Sequence, residues 1–307
     1  SVYNLDENSN PDGLPCLGND AVIDGNGFTV ERDSGAPEFR IFCTQNGVGV
    51  TLQDITVKGG NVSSGGNGGG LRGRNILSLT LQDVIFDSNA AENGGAIGLD
   101  SLPGGGSDVT IDGSYFTVTN SYFYFNRPST TSGGVFYLET TESSLSVDRS
   151  TFENNTGGKG GVFYLKNGAA LNVTNSTFSG SVAIDDGGII YSFQDSVSPN
   201  EINFSYNTEQ TSYAGANGGT TFYNCIDDGL FGCILGVGDS TFSGTHYVLE
   251  NNILEGGGCD GNIDNASFLN NLGGSLGLTC GTNSLPTNFS TVLDLNGGPW
   301  KTFSIFS

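Results

Sequence analysis

The sequence has few basic residues: ten Lys and Arg stand against 32 Asp and Glu, which gives a formal net charge of −22. Such a surface repels nucleic acids and anionic membranes, so we expect neither as a partner. No apolar run approaches the ~18 residues that cross a bilayer, so no membrane-spanning helix is predicted. The chain also lacks a Cys-x-x-Cys pair and has a single histidine, which argues against a zinc site.

Helical periodicity is missing as well. No stretch keeps an apolar period of ~3.6 residues, so we expect few helices. Although only 14% of residues are charged, 36% are hydrophobic, including 20 Phe and 11 Tyr, so the composition is that of a folded chain. Fifty glycines and abundant Asn, Asp, Ser and Thr separate short apolar runs, a pattern typical of many short strands joined by many turns.

One apolar template recurs along the chain. Apolar residues occupy positions i and i+2, four residues follow, and a third apolar residue stands at i+7. The complete copies are Ala21/Ile23/Phe28, Val50/Leu52/Val57, Leu79/Leu81/Phe86, Phe116/Val118/Phe123, Leu145/Val147/Phe152, Leu171/Val173/Phe178 and Leu235/Val237/Phe242. The partial copies are Ile202/Phe204, with Glu209 in third place, and Ile263/Phe268, with Gly261 in first place.

The template has a direct structural interpretation. Residues i and i+2 lie on one face of a strand, the four residues turn a corner, and the third apolar residue points inward from the next strand. Most copies begin 26 to 31 residues apart, which suits one coil of a three-sided parallel β-helix. The sequence therefore predicts an all-β, single-stranded parallel β-helix, a β-solenoid, of about nine to ten coils.

Two further signals alternate with the template. A glycine pair precedes an apolar strand at residues 94–95, 133–134, 160–161, 187–188 and 218–219, where glycine permits a tight corner and close stacking of backbones. Asparagine follows the last apolar position by three residues at Asn89, Asn126, Asn155 and Asn271. Stacked asparagines can hydrogen-bond along the rod.

The GGAI tetrapeptide at 94–97 and the FxxN tetrapeptides at 86–89, 123–126, 152–155 and 268–271 resemble the repeats of chlamydial polymorphic outer membrane proteins and related surface proteins. The resemblance covers roughly residues 50–271. It implies a right-handed parallel β-helix displayed outside the cell and used for adhesion or as a structural element.

We expect one domain over residues 1–307. Residues 1–20 fit no template and are predicted to cap the N-terminal end, residues 21–271 to form the coils, and residues 272–307 to form a second cap or an assembly arm. The longest interval between copies contains an insertion near residues 101–106, which predicts a protruding loop.

The cysteines suggest a secreted chain. An even number of cysteines favours disulfides over free buried thiols and an oxidising compartment. The sequence-local pairing is Cys16–Cys43, Cys225–Cys233 and Cys259–Cys280. Seven N-glycosylation sequons, about the number expected by chance, begin at Asn61, Asn154, Asn172, Asn175, Asn203, Asn265 and Asn288. We also expect that a signal peptide preceded Ser1.

The residues that carry catalysis on similar folds are sparse. Glycoside hydrolysis needs two carboxyl groups around the scissile bond, and the only adjacent aspartates are Asp185-Asp186 and Asp227-Asp228, both in turn-like sequence. His246 has no obvious triad partner, and the basic residues are scattered. Residues 6–13 resemble the start of a calcium loop but lack its later ligands. No catalytic residue, cofactor or metal is therefore predicted, and the chain is not expected to be an enzyme.

Three aromatic runs, at residues 122–125, 135–138 and 162–165, are predicted to expose one aromatic side chain each, for stacking within the rod or for binding glycans. The leading hypothesis is a non-enzymatic extracellular structural or adhesive surface protein that assembles head to tail, because solenoid ends expose strand edges. The alternatives are a carbohydrate-active enzyme and a glycan-binding module.

Overall fold

A computed structural model describes most of the first two thirds of the chain. The described residues are 4–5, 11–100, 115–119, 121–139, 143–166, 168–195, 200–205, 208–210, 213–214, 222–227, 246–250, 253–254, 259–261, 267–269, 271–273 and 282–284.

The described residues form strands, turns and bends. The first strands are β1 Asn4–Leu5, β2 Pro11–Asp12, β3 Ala21–Glu31, β4 Phe42–Cys43, β5 Gly49–Lys58, β6 Asn61–Asn67, β7 Leu71–Arg74, β8 Ser78–Gln82, β9 Ile85–Asp87, β10 Ala90–Asn93 and β11 Ile97–Asp100. Next come β12 Tyr115–Thr119, β13 Tyr122–Tyr124, β14 Arg127–Ser132, β15 Phe136–Glu139, β16 Ser144–Asp148, β17 Thr151–Glu153, β18 Thr156–Gly157, β19 Phe163–Lys166, β20 Ala170–Thr174, β21 Thr177–Ser179 and β22 Val182–Ala183. The last are β23 Ile190–Asp195, β24 Glu201–Ser205, β25 Thr208–Gln210, β26 Tyr213–Ala214, β27 Phe222–Asp227, β28 His246–Glu250, β29 Ile253–Leu254, β30 Cys259–Gly261, β31 Ser267–Leu269, β32 Asn271–Gly273 and β33 Thr282–Ser284.

These strands stack into three faces of a solenoid. Face A is a bent 17-stranded sheet made of β3, β5, β8, β9, β12, β13, β16, β17, β20, β21, β24, β25, β28, β29, β31, β32 and β33. Face B is an eight-stranded sheet made of β4, β7, β11, β15, β19, β23, β27 and β30. Face C comprises two three-stranded sheets, β6, β10 and β14, and β18, β22 and β26.

The pairing between coils is parallel throughout the three faces, and the only antiparallel pair of described strands is β1–β2. The predicted fold class, an all-β parallel β-solenoid, is therefore confirmed. About five successive turns, within Gly49–Asp195, complete all three faces, which is fewer than the predicted nine to ten coils. Beyond Asp195, β24 and β25 on face A, β26 on face C and β27 on face B complete one further turn, and the later described strands extend faces A and B only.

The template predicts the interior of the central coils correctly. In β8 and β9, Leu79, Leu81 and Phe86 point inward and are buried. The third position forms a stack of nearly parallel rings, with centroids 5.4 Å apart for Phe86–Phe123, 5.0 Å for Phe123–Phe152 and 4.8 Å for Phe152–Phe178. Such offset-stacked aromatic pairs contribute about 0.5–1.5 kcal/mol beyond the burial of their surface.

Three template assignments were wrong. Val30, and not Phe28, lies opposite Val57, because the first coil has two additional residues at its corner. The coil after Ile202/Phe204 places Tyr247 and Leu249 in the first two positions, so Leu235/Val237/Phe242, which fall outside the described residues, are not the next copy. Phe268 lies opposite Leu249 and therefore occupies the second position rather than the third, which also removes Asn271 from the asparagine series.

The corner inside face A depends on one residue with a left-handed backbone. Asp54, Asp83, Arg149 and Asn175 occupy this position with φ between 47° and 54°. A single left-handed residue turns the chain at this corner, so that one strand ends and the next begins within the same coil.

The serine that follows the corner binds the neighbouring coil. Val84 N–H donates to Ser121 Oγ over 3.2 Å, Ser121 N–H to Ser150 Oγ over 3.2 Å, and Ser150 N–H to Ser176 Oγ over 3.1 Å. The template did not predict this series, although serine recurs three residues after its second apolar position.

The glycine corners at residues 94–95, 133–134, 160–161 and 187–188 are confirmed, whereas residues 218–219 lie outside the described residues. In the pair Gly133-Gly134, the first residue has φ 63°, and a Cβ on the second would lie 2.0 Å from the carbonyl oxygen of Gly161. A side chain at the second position is excluded by the backbone of the adjacent coil, so the glycine pair sets how closely the coils stack.

Candidate functional site

The N-terminal end of the rod is the first place where the regular structure stops. Among the described residues, β3 pairs with β5 on one edge and has no strand on the other. Ile23 and Val30 of β3 point inward but stay half-exposed, whereas Leu52 and Val57, which lie opposite them in β5, are fully buried. Within the described part of the chain, a neighbouring strand therefore covers the inward side chains of β3 from one side only.

Large apolar side chains are also exposed on β3. Val22 is 71% exposed and Phe28 is 75% exposed. A cavity of about 510 Å³ opens at the same end of the rod, and Leu14, Leu17, Ile23 and Phe42 are among the residues that line it. An exposed strand edge with apolar side chains is a template for pairing with another chain.

A disulfide and a buried ion pair fix this end. Cys16 and Cys43 are bonded, which confirms the first predicted pairing. Arg40 donates to Asp12 over 2.6 Å, and both side chains are buried. Because the two sulfurs are bonded to each other, the cluster of Asp12, Cys16 and Cys43 is not a metal site.

Other predicted features of the sequence fall partly outside the described residues. Cys225 lies on β27 and Cys259 on β30, while their predicted partners Cys233 and Cys280 are outside. In the calcium-like segment 6–13, residues 6–10 are outside, as is the insertion at 101–106. The proposed C-terminal boundary at 271 is crossed by face A, since β33 pairs with β32 in parallel.

The candidate carboxylates are separated. Asp185 is exposed and Asp186 half-buried in the bend before β23, whereas Asp227 ends β27 opposite Asp195, the last residue of β23. A strand of this length spans about 17 Å, so Asp186 and Asp227 lie at opposite ends of face B. Asp228 is outside the described residues.

His246 begins β28 on face A, opposite Glu201. The structure therefore places this histidine on a different face of the rod from Asp227, whose strand β27 belongs to face B.

Several of the scattered basic side chains pair with acidic ones. Arg72 donates to Asp100 over 2.8 Å, Lys58 lies 3.5 Å from Glu31 and 3.6 Å from Asp87, and Lys166 contacts Glu139. These pairs link neighbouring coils, and the described ones form no continuous basic groove for a polyanion.

The sequons differ in accessibility. Asn154, Asn175 and Asn203 are exposed, and the first two sit at corners with φ 53° and 50°. Asn61 and Asn172 are half-buried, and the Oδ1 atom of Asn172 is buried without a hydrogen-bond partner. The two remaining sequons are outside the described residues: Asn265 and Asn288.

Two of the aromatic runs do not expose an aromatic ring as predicted. Tyr137, Tyr164 and Tyr191 follow one another on the outer side of face B with ring centroids 5.3 Å apart at both steps. Each stacked ring covers its neighbour from solvent. Tyr191 is fully buried, and the Lys159 ammonium lies 5.0 Å from its ring. Burial raises the pKa of Tyr164 to about 12, so its phenol stays neutral.

The third run behaves differently. Phe123 points into the core, while Tyr122 and Tyr124 point outward with ring centroids 5.1 Å apart. Phe125, which follows β13, is 54% exposed, and its ring centroid lies 5.5 Å from that of Tyr124. This is the one run in which the prediction of an exposed aromatic side chain is confirmed.

The chain matches no protein-family model, no curated protein and no solved structure. Within the part of the chain that the structure describes, no helix has the length and apolarity needed to cross a membrane.

Proposed function

We propose that this chain is a non-enzymatic extracellular structural or adhesive protein whose rods join head to tail. The observation that carries the proposal is the edge of β3, which is 11 residues long and is paired on one side only within the described chain. Parallel stacking has a direction, so this edge complements the opposite end of a second copy. Repetition of that contact does not close and produces a filament.

The chemistry of the edge supports the same conclusion. Lys and Pro are two of the devices with which natural proteins protect exposed strand edges, alongside β-bulges and short strands. β3 contains neither Lys nor Pro, and its inward side chains Ile23 and Val30 need a further coil to complete their burial. A neighbour's coil would cover both residues and the adjoining apolar cavity.

The bulge in β3 limits how a neighbour can pair. The register to β5 shifts between Asp24 and Phe28, so the strand offers two short pairing segments, Ala21–Asp24 and Phe28–Glu31. Only a strand that turns a corner between its own two pairing segments can pair with both segments of β3. Coils of the same chain have such a corner at the equivalent position. The extracellular location is supported by the Cys16–Cys43 disulfide, because such bonds persist in oxidising compartments.

A single proline tests the proposal. The Arg32 N–H donates to the Lys58 carbonyl over 3.1 Å, and alternate residues of a strand face the same neighbour. The Thr29 N–H therefore points to the free edge, and Thr29→Pro removes a donor that no described strand uses. Proline is tolerated at such an edge.

We expect the wild-type chain to show concentration-dependent association in sedimentation velocity and Thr29→Pro to remain monomeric. The matched control Thr29→Val keeps the backbone donor and should associate like the wild type. Circular dichroism checks that both variants fold. A monomeric wild type at high concentration, or equal association of all three chains, contradicts head-to-tail assembly.

A further inference from the structure

Each central coil contains a second left-handed position, two residues after the inward residue at the third template place. Its occupants and their φ values are Gly59 at 68°, Ser88 at 55°, Phe125 at 51°, Asn154 at 53° and Gly180 at 59°. Glycine and asparagine tolerate this conformation, and serine is small, but a bulky aromatic residue there is an outlier.

The stability of the fold does not explain why a phenylalanine occupies the left-handed position at residue 125. The backbone conformation costs on the order of 1 kcal/mol or more for a bulky side chain, and the ring is 54% exposed, so burial offsets little of that cost. Neighbouring coils show that smaller residues fill the same place. A strained and exposed residue of this kind points to a role at the surface rather than in the fold.

The aromatic residues around Phe125 indicate what that role is. Tyr122, Tyr124 and Phe125 form a continuous aromatic platform on the outer side of face A, with successive ring centroids 5.1 and 5.5 Å apart. The Tyr122 and Tyr124 rings are inclined by only 18°, and each fills one face of the other. The Phe125 ring is inclined by 64° to that of Tyr124, so the platform is a stacked pair of tyrosines with a tilted phenylalanine beside it.

Carboxylates border the platform on the coils before and after it. Asp87 and Glu153 lie in register with Tyr124, one coil away on either side. Tyr122 donates its hydroxyl to Glu153, and burial together with a hydrogen bond to Asp87 raises the pKa of Tyr124 to about 12. The phenols stay neutral, and of the two carboxylates Asp87 is buried whereas Glu153 is half-buried.

We propose that Tyr122, Tyr124 and Phe125 bind an uncharged glycan chain. The apolar C–H face of a sugar ring packs on the exposed Phe125 ring beside the tyrosines, and sugar hydroxyls donate to the half-buried Glu153. Anionic glycans are disfavoured because these carboxylates border the platform and the chain carries a net charge of −22. The site lies on the side of the rod, so it remains accessible in a head-to-tail filament.

The substitution Phe125→Asn separates binding from folding. It places at residue 125 the side chain that Asn154 carries at the same position of the next coil, so the thermal unfolding midpoint should stay equal or rise. We expect binding to weaken at least about fivefold, the loss corresponding to one aromatic contact. Leu77→Ser, at another exposed apolar side chain (44% exposed), is the control and should bind normally.

The probes are cellohexaose, laminarihexaose and mannohexaose as uncharged oligosaccharides and hexagalacturonate as the anionic one, with binding measured by isothermal titration calorimetry. Binding of at least one uncharged probe, weakened by Phe125→Asn and not by Leu77→Ser, supports the proposal. It is overturned if no uncharged probe binds at millimolar concentration, if Phe125→Asn binds equally, or if hexagalacturonate binds best. A loss of self-association in Phe125→Asn assigns the platform to a protein contact and also overturns it.

Discussion

The side-chain amide of Asn126 donates to the Oδ1 atom of Asn155 over 3.1 Å, although 29 residues separate them. The same amide group donates to the carbonyl of Phe86 over 3.0 Å, and Asn89 repeats the arrangement one coil earlier by donating to Asn126 Oδ1 over 3.1 Å. All three asparagines are fully buried. The predicted asparagine series is thus a continuous polar column inside the corner of the coils, and each member ties two neighbours together.

Replacing Asn126 with alanine should be costly. The change removes two donor bonds and the acceptor that serves both the N–H and the side chain of Asn89, so buried polar groups lose their partners. We expect the free energy of unfolding to fall by about 2–4 kcal/mol in urea denaturation. A loss below about 0.5 kcal/mol would contradict the role assigned to the column.

Ser181 provides the matched control for that experiment. It occupies the next place in the column, after Asn155, and its buried hydroxyl has no hydrogen-bond partner. Ser181→Ala should leave the free energy of unfolding unchanged within about 0.5 kcal/mol or raise it, because an unsatisfied buried hydroxyl is unfavourable. A loss as large as that of Asn126→Ala would mean that any substitution at this corner destabilises the rod.

The Cys16–Cys43 disulfide should stabilise the N-terminal coil. It closes a loop across a sequence separation of 27 residues, for which loop closure predicts about 3–4 kcal/mol. The double change Cys16→Ser/Cys43→Ser should increase hydrogen exchange in residues 11–31 while exchange around Phe152 stays slow. Equal acceleration along the whole rod would contradict a local role.

Stability should fall in alkaline solution because of the stacked tyrosines. The pKa of Tyr164 is raised from 10.0 to about 12 by burial, and burial also raises that of Tyr137, which donates to Glu139. Between about pH 10 and 12 the unfolded chain has released phenolic protons that the folded chain keeps, so unfolding becomes easier as the pH rises. Tyr164→Phe should flatten this pH dependence in urea denaturation. The same slope in both chains would contradict the assignment.

The repeat could be predicted from sequence because its apolar positions point into one continuous core. Leu79, Leu81 and Phe86 are each required by packing, and the Gly133-Gly134 corner is required by the approach of the next backbone. The template failed where additional residues shift a corner, as before Val30, since spacing alone cannot show which of two apolar residues points inward.

The exposed surfaces were less predictable. Alternation along a strand predicted the outward tyrosines correctly, but it could not show that Tyr191 is covered by its own stack or that Phe125 lies beyond the strand in a left-handed conformation. Those outcomes depend on the neighbouring coils, which are distant in sequence. The sequence predicted that the ends of a solenoid expose strand edges, but it did not identify β3 as such an edge.

Electron microscopy of the native protein at increasing concentration tests head-to-tail assembly most directly. We predict unbranched filaments one rod wide, with the ~4.8 Å spacing of stacked strands running along the filament axis. Isolated short rods at every concentration would contradict the account.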